Sequence, residues 1–91
     1  MKTNEEVKAY IEAAGYDEVI IFENPDYASA FIGLSSDDRA IYDYERMVEH
    51  LMTEEGMDEE EARDFISYNT LRSLPYITKG PVVIHPIDSV L

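Results

Sequence analysis

Apolar residues at Val7, Tyr10, Ile11 and Ala14 recur on one helical face behind Thr3 and Glu6, which have the spacing of a capping box. The pattern predicts a short amphipathic helix over about residues 4 to 14, stopped by Gly15. The period then changes. Glu18 to Phe22 is a β-branched apolar run closed by Asn24-Pro25-Asp26, where proline fixes φ and the flanking Asn and Asp cap a bend. A second run, Ala28 to Leu34, ends at Ser35-Ser36-Asp37-Asp38, and a third, Arg39 to Tyr42, is short. Connections of hairpin length make these an antiparallel meander of three strands, because parallel neighbours need a crossover.

Asp43 is placed to cap a second helix whose apolar stripe is Tyr44, Met47, Val48, Leu51 and Met52, ending near Gly56. A third helix begins at Asp58, with Glu61 completing a capping box and Met57 positioned to staple onto Ala62. Phe65 and Ile66 extend its apolar face, and Pro75 ends whatever helix continues through Asn69 to Leu74. The last apolar run, Val82-Val83-Ile84, lies between Pro81 and Pro86, which suits a sheet edge or a tail packed against one. The order α-β-β-β-α-α-β predicts an α+β fold: a small, mainly antiparallel sheet of three or four strands packed with about three helices. Ninety-one residues fit a single domain, 1–91, with one modest core.

Charge changes the picture more than composition does. Hydrophobic content of 45% is that of a folded chain, yet the net charge is −13. Such a surface keeps a protein soluble and opposes binding to nucleic acid or anionic lipid, so the expected partner is a basic protein. No apolar run reaches membrane-spanning length, and the segment Met1 to Glu6 lacks the apolar region of a signal peptide. These features predict a cytoplasmic protein. The absence of cysteine excludes disulfides and thiolate chemistry and leaves the redox compartment open.

The acidity is concentrated. Seven of the eleven residues from Glu54 to Asp64 are acidic: Glu54, Glu55, Asp58, Glu59, Glu60, Glu61 and Asp64. Helix electrostatics account for Asp58 to Glu61, which occupy a first turn, but not for Glu54 and Glu55, which end the preceding helix where cations are favoured. Helix positions four apart rise about 6 Å, a scale comparable to the spacing of backbone phosphates. Glu45 with Glu49 forms one such row, and Glu60 with Asp64 another; Asp37 and Asp38 join the same field if the fold brings them near. An array of this kind suits the basic groove of a nucleic-acid-binding protein. The alternative is a surface whose acidity serves solubility only, with binding through tyrosines and a sheet edge.

Seven tyrosines and no tryptophan are the second oddity. Tyr10, Tyr44 and Tyr68 fall on or beside apolar helix faces and are expected in the core, whereas Tyr16, Tyr27 and Tyr76 sit in turns, available to guanidinium groups. Asp58 to Asp64 lacks the alternating ligands and central glycine of a calcium loop, and His50 and His85 form no helical pair, so neither metal nor cofactor is expected. Arg46, His50 and Glu54 share an i, i+4 row, so His50 reads as a surface or boundary residue in an ion-pair ladder. Ser29, Ser35, Ser36 and Ser67 lack a nucleophile-elbow context, and no glycine loop is built for phosphates, so the chain is read as non-enzymatic. The terminal Asp88-Ser89-Val90-Leu91 fits the carboxyl-terminal pattern of PDZ ligands, a short and unspecific match. Copy number is left open between monomer and dimer.

Three stretches resemble a family of small acidic proteins from phages and mobile elements of Gram-positive gut bacteria. They are Phe22-Glu23-Asn24-Pro25-Asp26-Tyr27, the run from Gly33 through Arg39 and Tyr42 to Met52, and Gly56-Met57-Asp58-Glu59-Glu60-Glu61-Ala62 continuing through Tyr68-Asn69-Thr70 to Leu74-Pro75-Tyr76. The resemblance covers about residues 15 to 85. It implies a context and no established chemistry: small acidic proteins of such elements include inhibitors of host defence, among them anti-CRISPR proteins that block the nucleic-acid channels of Cas nucleases. Those inhibitors share no motif, so the resemblance transfers no functional residue.

Overall fold

In the computed structural model, residues 3–16 and 18–87 are described. Helix α1 spans Asn4–Ala13, with Thr3 as its cap: the Glu6 N–H donates to the Thr3 hydroxyl at 3.3 Å. It ends in a Schellman turn. Gly15, at φ +87°, donates to the Glu12 carbonyl, and Tyr16 donates to the Ile11 carbonyl. Val7 and Ile11 are its buried residues.

The first predicted strand is absent. Val19, Ile21 and Phe22 all pack against the core, which breaks the in–out alternation that a ladder requires. Side chains hold the Phe22 backbone instead: its N–H donates to the Tyr42 hydroxyl at 3.2 Å, and its carbonyl accepts from Asn4 Nδ2 at 2.9 Å. A cis Asn24-Pro25 bond follows, and then the second predicted run divides. Ala28–Ala30 is a turn of 3-10 helix because Asp26 Oδ1 accepts the Ala28 N–H, a local alternative to sheet pairing. Only Phe31–Leu34 becomes strand β1.

Strand β2, Ala40–Asp43, pairs antiparallel with β1, with a bulge between Phe31 and Gly33. Its other edge takes β3, Val82–Ile84, in parallel, with Tyr42 opposite Val83. The sheet is therefore mixed, in the order β1-β2-β3, and not an antiparallel meander. The parallel pair is possible because the chain between β2 and β3 is long enough for a crossover. The protein is α+β, with three α-helices and a three-stranded sheet among the described residues.

Helix α2, Tyr44–Glu54, is capped by Asp43, which accepts the Arg46 N–H at 3.1 Å; it buries Met47, Val48 and Leu51. Helix α3, Glu59–Phe65, begins with the expected capping box, the Asp58 carboxylate on the Glu61 N–H at 2.8 Å and the Glu61 carboxylate on the Asp58 N–H at 3.2 Å. Met57 packs on the core that contains Ala62. The helix then widens to a π turn over Ile66–Thr70 and tightens to a 3-10 segment, Leu71–Tyr76, so Pro75 sits within the last turn and does not end it.

An aromatic group joins these elements. Phe22 lies 4.7 Å from Tyr42 and 5.4 Å from Tyr27 between ring centroids, and Phe31 lies 5.8 Å from Tyr42. Tyr27, assigned to an exposed turn by sequence, is fully buried, and its hydroxyl shares a hydrogen bond with buried Thr70 at 3.1 Å. Tyr68, expected in the core, is 66% exposed, and Tyr10 is 54% exposed. The Asp88–Leu91 motif lies outside the described residues.

Candidate functional site: an acidic corner

Helices α2 and α3 pack against each other, and one cation holds their acidic faces together. Arg63 donates through both terminal nitrogens to Glu45, at 3.1 and 3.0 Å, and through Nε to Glu59 at 3.0 Å. Its guanidinium also stands 5.5 Å from the Tyr44 ring centre, and Tyr44 stacks on His85 at 4.3 Å. Arg63 holds the Glu45 carboxyl below the ordinary glutamate value, chiefly through these hydrogen bonds, and Glu45 in turn raises the guanidinium's own value. The bidentate fork adds geometry to charge and ties α3 to α2.

The eleven predicted contact residues thereby separate into groups. Glu45 and Glu59 are both paired with Arg63, whose single charge offsets one of their two. Asp58 and Glu61 are engaged with backbone N–H groups at the start of α3. Asp37 and Asp38 lie in the β1–β2 turn, at the far end of β2 from the Asp43 cap. There Asp37 accepts from the Ser35 hydroxyl, which holds its carboxyl below the usual range, with Arg39 and Lys79 adding smaller attractions. Arg39 also donates to the Gly80 carbonyl at 2.8 Å, tying this turn to the approach to β3. Glu49, Glu54, Glu55, Glu60 and Asp64 remain. All five are exposed, and their carboxylates have no hydrogen-bond or ion-pair partner among the described residues.

The structure adds residues to the corner that the sequence did not mark. A cleft of about 340 Å³ between the Asn24-Pro25-Asp26 turn and the end of α2 is lined by Glu23, Asp26, His50, Glu54 and Glu55. His50 is not part of a surface ladder with Arg46 and Glu54. Its side chain is 12% exposed, with Nδ1 3.3 Å from the Ser29 hydroxyl and Nε2 3.7 Å from Asp26, while Arg46 stands at 4.0 Å from Asp43. The last turn of α2 carries no basic residue, so the negative end of its dipole adds to the carboxylates beside it. Burial pushes the Tyr27 hydroxyl above the ordinary tyrosine value, and Glu55 pushes the same way.

Chemically, the corner is suited to receiving cationic side chains. Among the described residues, no group of three or more His, Asp or Glu side chains is placed to hold a metal ion, and no helix is long and apolar enough to cross a membrane. The chain matches no protein-family model, no curated protein and no solved structure.

Proposed function

We propose that the protein inhibits a nucleic-acid-binding protein by occupying its basic groove, with the free carboxylates of α2 and α3 standing in for phosphates. The observation that carries this reading is the set Glu49, Glu54, Glu55, Glu60 and Asp64, exposed and unpaired among the described residues on two helices clamped by Arg63. Two of them oppose the local helix dipole, a cost that solubility alone does not require, since the same charge elsewhere would be tolerated better. Rigidity matters because an array that is already ordered loses little entropy on binding. The partner class is a nuclease or defence effector such as a Cas protein, a choice guided by the mobile-element resemblance.

Five rim contacts at about 0.2–1 kcal/mol each sum to roughly 1–5 kcal/mol, or from about fivefold to several thousandfold in affinity. Replacing the five by Gln or Asn is expected to weaken binding within that range and leave the far-UV circular dichroism unchanged. Raising salt is expected to weaken the native complex in parallel, since exposed charges are screened over about 8–10 Å near physiological ionic strength. A second reading, an adaptor binding through tyrosines and a sheet edge, draws on Tyr76 at 89% and Tyr68 at 66% exposure. Its complex would persist in high salt and fail when those two tyrosines become serine.

A further inference from the structure

The segment that failed to become a strand forms one wall of a groove of about 670 Å³, opposite α1. Ile11 contributes to its floor, Val19 and Ile21 are half-buried along it, and Ile20 is 39% exposed. Glu18 and Glu23 bracket the run, and Glu12 faces it from α1. Among the described residues lining the groove, the only cation, Lys8, is held by Glu23 at 3.1 Å. The backbone N–H and carbonyl groups of Val19, Ile20 and Ile21 make no hydrogen bond within the described residues, although neighbouring Phe22 uses both of its own. Unpaired backbone beside a β-branched run and an apolar floor is what an added strand requires.

We propose that this segment binds an extended segment of a partner protein by strand pairing, and that the occupant is an aliphatic stretch with a basic residue at each end. The charges select this occupant. Glu18 meets the basic residue at one end of a paired segment, and at the other end a second basic residue competes with Lys8 for Glu23. A second copy of this chain pairing through the same run would bring the Glu18 and Glu23 of both copies to one rim, and like charges brought close are destabilising. Glu23 also lines the acidic cleft beside α2, so the groove and the cleft share that residue. The inference rests on the basic-partner reading for the sign of its ligand, but its backbone site at Val19 to Ile21 is separate from the five free carboxylates near α2 and α3.

The test is a titration of isotope-labelled protein with a short Arg-flanked Val/Ile peptide, followed by amide chemical shifts and fluorescence anisotropy. The comparison probes are the Glu-flanked peptide, the Arg-flanked peptide with a serine core, and the Arg-flanked peptide N-methylated along its backbone. The expected result is shifts concentrated at Val19 to Ile21, with each comparison probe about tenfold weaker or worse. The variant Ile20→Ser weakens binding, whereas Ser67→Ala, at an exposed position of the π turn, does not. Three results overturn the proposal: no saturable binding, equal binding of the N-methylated peptide, or self-association that shifts the same amides without peptide. Shifts confined to Glu49 to Asp64 would keep the acidic corner as the basic-partner site while rejecting strand addition.

Discussion

The buried pair Tyr27–Thr70 offers a measurable test of how the irregular half of the chain is held. The two hydroxyls lie 3.1 Å apart, both buried, and neither has another side-chain partner among the described residues. Tyr27→Phe leaves the Thr70 hydroxyl buried without a partner, and Thr70→Val does the same to Tyr27; orphaning a buried polar group costs about 1–3 kcal/mol. Each single variant is therefore expected to lose about 1–2 kcal/mol. The double variant removes both polar groups together and is expected to lose about 1 kcal/mol, well below the sum, giving a coupling of about 1 kcal/mol or more. Urea unfolding read by far-UV circular dichroism suits the measurement, because the chain has no tryptophan and a tyrosine is being replaced. With a slope near 1 kcal/mol per molar, each single variant moves the midpoint by about 1–2 M. Additive losses, or single variants within about 0.3 kcal/mol of the native protein, would refute the pairing. The link matters for the site, since Tyr27 follows the turn that presents Asp26 to the acidic cleft.

Further outcomes follow from the same geometry. Arg63→Met removes a bidentate bond to Glu45, a second partner in Glu59 and the contact with Tyr44, and is expected to destabilise by about 1–3 kcal/mol by thermal unfolding. Because the folded Glu45 carboxyl titrates below its ordinary value of 4.5, its contribution is present above that pH and is lost as pH falls through the lower folded value. The native-minus-Glu45→Gln difference in melting temperature should therefore shrink on the acid side of pH 4.5, and a constant difference would contradict the clamp. Burial raises the Tyr42 hydroxyl from 10.0 to about 12, so its stabilising effect is full below pH 10 and disappears as pH rises through about 12. Tyrosinate absorbance from this residue should appear together with loss of helical dichroism; a rise with the fold intact would contradict its placement. Glu54→Gln and Glu55→Gln relieve charges at the wrong end of α2 and are expected to stabilise by about 0.3–1 kcal/mol each at low salt while weakening partner binding. A loss of stability would show those carboxylates to be structural.

Local signals in the sequence specified local structure well. Thr3 with Glu6, Asp43, and Asp58 with Glu61 each act within one helical turn, and all three cap helices as their spacing indicates. Strand identity was less legible because it depends on a partner. Glu18 to Phe22 has every compositional mark of a strand, yet Phe22 is held by Asn4 and Tyr42, both distant in sequence. The parallel place of Val82–Ile84 likewise depends on a crossover that no local pattern reveals. Tyrosine burial was misread for a related reason: a turn residue such as Tyr27 is buried by what folds over it, and Thr70 lies far along the chain. At the candidate site, the concentration of charge was plain, and Arg63 with Glu59 falls at a helical spacing that marks an ion pair. That Arg63 would also take Glu45, and that Glu23, Asp26 and His50 would join the end of α2, required the tertiary structure.

The central claim is that the free carboxylates of α2 and α3 occupy a groove meant for nucleic acid. The most direct measurement is a paired low-salt pull-down from bacterial lysate with the native protein and the variant neutralised at Glu49, Glu54, Glu55, Glu60 and Asp64, with the retained proteins then challenged by added nucleic acid. The account predicts a basic nucleic-acid-binding enzyme held by the native protein alone, released by moderate salt and displaced by its own nucleic acid. Equal retention by both proteins, or a partner that nucleic acid fails to displace, would contradict it.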